Sequence, residues 1–314
     1  MSPKEPLRIL RRKELIRAEL TTGTRSDGRG PIEFPRTAVS EMKCSNPEDI
    51  LTVARVGRTC VSCFLQLSLR TPDPSMELIK LRLFGMDETE AQPLADGGDE
   101  DSDDEIEIDN SEDRPSLSLQ REAILENLFE EFSVINEASL NVFPSKFVFH
   151  LNINLHVLQE DGSVLDACSL ALMAALQRLR FPKVAYIEEE EAVRYDWDDL
   201  TSPQNPGAPE FFSTFAVIGD HILACPTAEE ERASDAVIAV IVQEDSSVSF
   251  MEVTDGILPS KDGSFIADLL SPLIDNAVAR RKELRTVLLN PAAEDTLIPN
   301  EYAVRLRSLH LGTD

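Results

Sequence analysis

A strand followed by a buried helix is the clearest pattern in the chain. Large apolar side chains occupy every second position from Phe147 to Val157, which is the period-two pattern of a half-buried β-strand. A turn containing Asp-Gly follows at 159–163, and residues 165–179 are then rich in Leu, Ala, Cys and Ser. Because small side chains allow a helix to approach its neighbours closely, this composition predicts a central buried helix.

Strands and helices are predicted on both sides of this unit. The first helix, at 7–20, begins just after Pro6, ends at the Thr-Thr-Gly of 21–23 and is expected to dock as an arm. Two further helices are predicted at 117–132 and 264–288. Such an order of elements is typical of an α+β protein with two lobes. The predicted strands are 51–56, 58–69, 78–84, 211–218, 221–225, 236–243 and 247–253.

The predicted organisation has five parts, and a length of 314 residues suits one large or two medium domains. A Pro-rich stretch at 202–209, preceded by an acidic cluster, suggests a break between two units of similar size. The parts are an N-terminal helix and arm (1–34), a first domain (35–190) with a disordered acidic insertion (86–114), a linker (191–210), a second domain (211–290) and a C-terminal tail (291–314).

Acidic side chains dominate the charge. The chain has 57 Asp and Glu against 30 Lys and Arg, a net charge of −27, and 14 of these carboxylates lie between Asp87 and Asp113 without any base. So few apolar residues accompany them that a disordered loop is predicted. An acidic surface repels a phosphodiester backbone, which disfavours a sequence-blind nucleic-acid binder. No apolar run approaches the roughly 18 residues of a membrane span, so an integral membrane protein is not expected.

Cysteine and histidine spacing predicts no metal site. The five cysteines are an odd number, and no signal peptide is evident at the N-terminus, which favours a reducing compartment and free buried thiols. Cys60 and Cys63 form a lone C-x-x-C within a predicted strand, where they would face opposite sides. His150 and His156 share a strand face without acidic or thiol partners at ligand spacing. No Gly-x-Ser-x-Gly elbow or phosphate-binding Gly-rich loop is present, so no cofactor is predicted.

Four motifs, in order, resemble the RNase PH-like subunits of the eukaryotic RNA exosome, over about residues 6–288. They are Arg25-Ser-Asp-Gly-Arg29, Gly57-Arg58-Thr59-Cys60-Val61, the turn and helix at 157–176, and Cys225-Pro-Thr-Ala-Glu-Glu-Glu231. The resemblance implies a two-lobed RNase PH-like fold, with a ribosomal protein S5 domain 2-like first lobe and a smaller α/β second lobe. Domains 35–190 and 211–290 would then be RNase PH domains 1 and 2. The acidic insertion falls outside the resemblance.

The same resemblance implies partners and a place of action. Six RNase PH-like subunits would form a hexameric ring beneath S1/KH-type cap proteins, and RNA would pass through the channel to an associated hydrolytic 3′→5′ nuclease. The chain would be a non-catalytic ring subunit that supports rRNA maturation and RNA turnover in nucleus, nucleolus and cytoplasm. No membrane partner is implied.

Phosphorolysis, the reaction of active relatives, requires a basic pocket for inorganic phosphate and carboxylates that assist a metal or move a proton. The resemblance places the counterparts of two catalytic aspartates at Glu229 and Asp235, which are predicted to be vestigial. Where active relatives carry several arginines, only Arg114 and Arg121 remain, beside the acidic insertion. The chain is therefore predicted to lack catalysis. Arg58 and Arg121 are candidate RNA contacts, with ordinary surface ion pairs as the alternative.

Two alternative functions stay open. The first is a phosphorolytic 3′→5′ exoribonuclease with a remodelled phosphate site, completed by an arginine from a neighbouring subunit. The second is an acidic interaction protein whose 87–113 loop binds basic partners such as histones or ribosomal proteins. The absence of a basic phosphate pocket disfavours the first alternative, and the resemblance outside the loop disfavours the second.

Overall fold

The computed structural model describes residues 5–42, 44, 46, 49–72, 77–86, 117–132, 135–143, 146–187, 192–202, 209–258 and 263–292. The predicted acidic insertion (86–114) lies outside the described residues apart from Met86. The predicted C-terminal tail (291–314) lies outside them beyond Ala292. Among the helices that are described, none combines the length and the apolar character needed to span a bilayer.

The first lobe is built on a six-stranded sheet with the order β1-β2-β3-β6-β4, in which β5 also pairs with β6. β4 runs parallel to β6 and the other pairs are antiparallel. A hairpin of β7 and β8 follows the sheet in sequence. The strands are β1 (Thr37–Met42), β2 (Asp49–Val56), β3 (Thr59–Arg70), β4 (Ile79–Phe84), β5 (Asn141–Phe143), β6 (Phe147–Gln159), β7 (Phe181–Ile187) and β8 (Ala192–Thr201), and the helices are α2 (Leu117–Phe132) and α3 (Val164–Arg178).

The second lobe is an antiparallel four-stranded sheet with the order β10-β9-β11-β12. The N-terminal helix α1 (Glu5–Thr21) packs on this lobe, because Ile16 and Leu20 are buried in one cluster with Ile218 of β9. The prediction of a docked N-terminal helix is therefore confirmed. The other elements are β9 (Ser213–Ile218), β10 (His221–Ala224), β11 (Ala236–Val242), β12 (Val248–Gly256), α4 (Ala228–Ala233) and α5 (Gly263–Leu289).

Helix α3 is the centre of the molecule. All residues from Val164 to Ala175 are buried, and the helix contacts β2 and β3 of the first lobe together with β9 and α5 of the second. One hydrophobic core runs through both lobes, since it includes the fully buried Ile153 of β6 and the fully buried Ile241 of β11. The predicted buried helix and the predicted α+β, two-lobed fold are both confirmed.

Among the described residues, four strands and one α-helix were not predicted from the sequence pattern: β1, β5, β7, β8 and α4. A short 3-10 helix at Glu137–Leu140 was not predicted either. Strand β8 occupies residues 192–201, half of the predicted linker at 191–210. Val193, Tyr195 and Trp197 do alternate with polar residues there, but the surrounding carboxylates suggested a solvated connection. The strand therefore replaces the predicted linker over these residues. Residues 203–208 lie outside the described part.

We expect Gly162→Ala to destabilise the fold by about 2–5 kcal/mol, measured by urea unfolding. Gly162 has φ +80°, and a Cβ there would lie 2.3 Å from the carbonyl oxygen of Pro226. Left-handed backbone costs a non-glycine residue roughly 1–2 kcal/mol, and overpacking adds about 1–3 kcal/mol. Gly28→Ala is the matched control, because Gly28 has φ +86° with no atom within 4 Å of the added carbon. Equal losses in the two variants would contradict the close approach at Gly162.

Candidate functional site

The two lobes meet where the turn before α3 packs on the loop before α4. The Thr59 hydroxyl donates to the Gly162 carbonyl at 2.6 Å, and the Ser163 hydroxyl donates to the Pro226 carbonyl at 3.0 Å. Ser163 precedes α3 in the left-handed conformation, with φ 48°, and its side chain does not cap the helix. The motifs around Gly57, the 157–176 helix and Cys225 are therefore in contact at one junction.

The Arg-Ser-Asp-Gly-Arg motif holds the N-terminal arm on the second lobe. Arg25 and Glu230 are both buried, and the Arg25 guanidinium donates to both carboxylate oxygens of Glu230. The same guanidinium donates to the carbonyls of Ala224 and Cys225, at 2.7 and 3.2 Å. Arg29 donates to the Cys225 carbonyl at 3.1 Å. The motif is thus structural: it fixes the loop between β10 and α4.

Three consecutive carboxylates of α4 point to three different parts of the molecule. Glu229 pairs with Arg12 of α1, Glu230 pairs with Arg25, and Glu231 accepts a hydrogen bond from the Ser163 backbone N–H at 2.6 Å. Successive residues on a helix are turned by about 100°, so one short helix can address three directions. Glu230 and Thr227 also form a capping box at the start of α4.

Glu229 and Asp235, the predicted vestigial carboxylates, both lie against α1. Asp235 pairs with Lys13 and accepts a hydrogen bond from the Gly219 backbone N–H at 2.7 Å. Partial burial alone would raise the pKa of the Asp235 carboxyl, but hydrogen bonds from Lys13 and Gly219 and the nearby charges together lower it. Neither carboxylate lines the cavity between the lobes.

A cavity of about 160 Å³ lies between the lobes and is the candidate site. The second helix, the 160–165 turn, the end of β12 and α4 all contribute to its wall. Sequence reasoning missed Glu231, the carboxylate that does face this cavity, because three adjacent acids give no sign of which one turns inward. The lining residues are Gln120, Arg121, Ile124, Glu160, Ser163, Val164, Leu165, Thr214, Ala228, Glu231, Arg232, Val237, Thr254 and Asp255.

A half-buried carboxyl group, Glu231, lines this cavity, and a fully buried one, Asp166, lies next to it. Burial raises the pKa of Glu231 to about 7, against the opposing effects of the Ser163 hydrogen bond and Arg121. Burial likewise raises the pKa of Asp166 to about 6, although the Thr214 hydroxyl donates to it. Both groups therefore titrate close to neutral pH, where a carboxyl can exchange protons.

The cavity has more negative than positive side chains. Its two cationic side chains are Arg121 and Arg232, whereas Glu160, Glu231 and Asp255 supply three carboxylates. Arg121 donates to Glu160 at 3.0 Å, so its charge is already compensated. The described residues contain no group of three or more His, Cys, Asp or Glu side chains placed to hold a metal ion. The arrangement offers little attraction to inorganic phosphate.

The two arginines proposed from the sequence lie in different places. Arg121 faces the cavity in its ion pair with Glu160, while Arg58 at the tip between β2 and β3 is 80% exposed in its side chain and 3.9 Å from Asp161. Arg58 lines a separate groove of about 650 Å³ together with Arg29. Their roles as RNA contacts remain predictions.

Comparison with known proteins identifies the family. Residues 52–182 match domain 1 of the 3′ exoribonuclease family, RNase PH, and residues 212–262 match its domain 2. Together the two matches cover more than half of the chain. The chain belongs to the RNase PH family. The two lobes, with the cavity between them, are the two RNase PH domains, as predicted.

Relatives of this RNase PH-family chain are named exosome components. It is 31% identical to "Exosome complex component Rrp42" of Thermococcus gammatolerans over 178 residues, which cover 56% of this chain and 61% of that protein, less than two thirds. It is 26% identical to Rrp42 of Pyrococcus abyssi, over 92% of this chain and 97% of that protein. A structure titled "Archaeal exosome core" superposes with a TM-score of 0.63 at 19% identity, covering 90% and 99% of the two chains, which shows a common fold.

Arg25→Met should lower the free energy of unfolding by about 3–5 kcal/mol, because it leaves the buried Glu230 carboxylate without its cationic partner. Urea unfolding measures the loss. The matched control is Arg36→Met, an exposed arginine lining the separate groove, for which we expect a change within about 0.5 kcal/mol. A similar small change in Arg25→Met would contradict the structural role of the motif.

Stability should fall as pH rises from about 4.5 to about 7. Glu231 has its pKa raised from 4.5 to about 7 by burial, so the folded state keeps a proton that the unfolded state releases over this interval. Below pH 4.5 Glu231 is protonated in both states, and its contribution to the free energy of unfolding is fully present. As the pH rises to 7 this contribution, on the order of 3 kcal/mol, is lost. Glu231→Gln keeps an acceptor for Ser163 and should flatten the curve measured by urea unfolding. Parallel curves for both proteins would contradict the burial of this carboxyl.

Proposed function

We propose that this chain is a non-catalytic structural subunit of the hexameric ring of an RNA exosome, supporting 3′→5′ RNA processing and degradation. The observation that carries the proposal is the composition of the interlobe cavity, which is lined by three acidic side chains and two arginines, one of them already paired with Glu160. The relatives named as exosome components support the proposed place in a ring. The acidic lining of the cavity supports the proposed lack of catalysis. The work of the chain is then to present lobe surfaces and strand edges to its neighbours.

Phosphate binding would need a change at the start of α3. The N-terminus of a helix favours anions, because free backbone N–H groups point at them. Here the Ser163 N–H already donates to the Glu231 carboxylate, a group of the chain itself. Incoming phosphate would have to displace Glu231 and would still face Glu160 and Asp255. Both effects oppose the phosphorolytic reaction.

The finer identity we propose is ribosomal RNA-processing protein 43, also called exosome component eight. Its support is the residue sequence of the 157–176 helix and of the Pro-Thr-x-Glu-Glu-Glu segment. The partners in the proposal are other RNase PH-like ring subunits, S1/KH-type cap proteins, an associated hydrolytic 3′→5′ nuclease and RNA in the assembled channel. The proposed places of action are the nucleus, nucleolus and cytoplasm. Arg58 is the proposed RNA contact, since its guanidinium is exposed.

One observation favours a phosphorolytic 3′→5′ exoribonuclease as a second candidate. Glu231 lines the cavity with a pKa raised by burial to about 7, which suits a group that transfers protons at neutral pH. A neighbouring subunit would then have to supply the cations that the cavity lacks. An assay of phosphate-dependent RNA degradation distinguishes the two candidates.

We expect the purified chain to release no nucleoside diphosphates from RNA in the presence of inorganic phosphate, because its cavity does not hold that anion. An active RNase PH enzyme assayed in parallel is the positive control. The assay is repeated on complexes with RNase PH-like subunits, using partners whose own activity has been removed by substitution. Turnover that is lost in Glu231→Gln but kept in Glu229→Gln, whose carboxylate faces α1, would establish the enzyme instead. Turnover that is lost in Asp235→Asn would also establish an enzyme, with Asp235 as a catalytic carboxylate instead of a vestigial one.

A further inference from the structure

Strand β12 forms the outer edge of the second lobe. It stands at one end of the sheet order and pairs with β11, and no backbone hydrogen bond leaves its other side within the described residues. The opposite edge of the sheet is different, because the Ala224 N–H of β10 donates to the Pro31 carbonyl of the N-terminal arm. An open edge presents a row of N–H and C=O groups that can pair with another strand.

An apolar stripe runs along this open strand. We use the name β12 stripe for Val248, Met251 and Val253 of the strand together with Ile257, the residue just after its end; their exposed fractions are 38%, 37%, 39% and 83%. These four account for a large share of the eleven exposed large hydrophobic residues in the described part of the chain. Clustered exposure of this kind marks an interaction surface, whereas single exposed residues do not.

The edge has little protection against pairing. Soluble proteins commonly place Lys or Pro on an exposed edge, or interrupt it with bulges. No Lys, Arg or Pro occurs from Val248 to Leu258, and the register irregularities lie on either side of a regular run that pairs 250–253 with 238–241. Residues 250–253 therefore form a regular run of four that is available for main-chain hydrogen bonds.

The charges on the strand indicate the chemistry of its partner. Glu252 is exposed and has no ion pair among the described residues, whereas Asp255 borders the interlobe cavity. A partner strand that carries Lys or Arg would compensate the charge of Glu252. A second copy of this chain would not, because the antiparallel register that centres β12 on itself places Glu252 opposite Glu252, and like charges opposite each other are destabilising.

We propose that β12 is the strand through which this chain pairs with a basic edge strand of a different RNase PH-like subunit. The proposal rests on the proposed ring function and adds the surface and the chemistry of the contact. Main-chain hydrogen bonds along the open edge supply affinity, the β12 stripe packs against apolar side chains of the partner, and the Glu252 carboxylate selects a basic neighbour.

The test co-expresses the chain with each RNase PH-like subunit of the same organism and measures affinity and amide hydrogen exchange. We expect at least one subunit to bind, with slower exchange of the 248–256 amides in the complex and weaker binding at high salt. The double variant Met251→Lys/Val253→Lys should raise the dissociation constant at least tenfold. Glu252→Lys should raise the dissociation constant too. Leu200→Lys, at a leucine 46% exposed on β8, is the matched control and should bind normally.

The outcomes separate this proposal from the ring function. If a subunit binds, but the 248–256 amides exchange as in the free chain and the double variant binds normally, the β12 contact is wrong while the ring function stands. If the chain alone forms a dimer that the double variant dissociates, the occupant is a second copy and the proposal is overturned. If no RNase PH-like subunit binds, the ring function fails and the contact fails with it. Circular dichroism of each variant confirms that its fold is retained.

Discussion

The buried ion pair of Arg25 with Glu230 is the constraint on which the lobe junction depends. Burying two charges is unfavourable unless good geometry and further hydrogen bonds compensate for the lost water. Here the contact is bidentate, the guanidinium also reaches the Ala224 and Cys225 carbonyls, and Glu230 accepts from the Thr227 backbone N–H. One carboxylate thus joins the N-terminal arm to α4. Because α4 has only six residues, fixing Glu230 also fixes the directions of its two neighbours.

This orientation determines the chemistry of the interlobe cavity. With Glu230 turned towards the arm, Glu229 faces α1 and Glu231 faces the start of α3, where its carboxylate accepts from the Ser163 N–H. An enzyme that binds phosphate needs this kind of backbone donor free for its substrate. This chain retains the fold of the RNase PH family. The backbone donor at the start of α3, however, is occupied by the chain's own Glu231 carboxylate. The proposed non-catalytic role thus depends on the Glu231 side chain at this position, because the two-lobed fold itself is retained.

The sequence predicted the long elements well because their periodicity reflects burial on one side. The alternation from Phe147 to Val157 and the small residues of α3 correspond to β6 and to the central helix. Helix α4 has only six residues, too few to show a period, and was not predicted. Strand β8 has ten residues, but the carboxylates among its alternating apolar positions suggested a solvated connection. The cavity carboxylate was missed for a related reason: the six-residue spacing selects Glu229 with Asp235, but only tertiary packing decides which of three adjacent acids faces inward. Main-chain donors such as the Ser163 N–H leave no trace in side-chain identity.

Internal pairing of charges reconciles the acidic composition of the chain with the proposed place in an RNA-handling ring. Several of its cations are used within the fold: Lys13 pairs with Asp235, Arg25 with Glu230, and Arg121 with Glu160. A cation held in such a pair has little net attraction left for a phosphodiester, since its carboxylate repels the same anion at almost the same distance. In the basic N-terminal helix, Arg12 pairs with Glu229, and Lys13 and Arg17 pair with Asp235. If the chain has the proposed ring function, RNA attraction therefore comes mainly from other subunits.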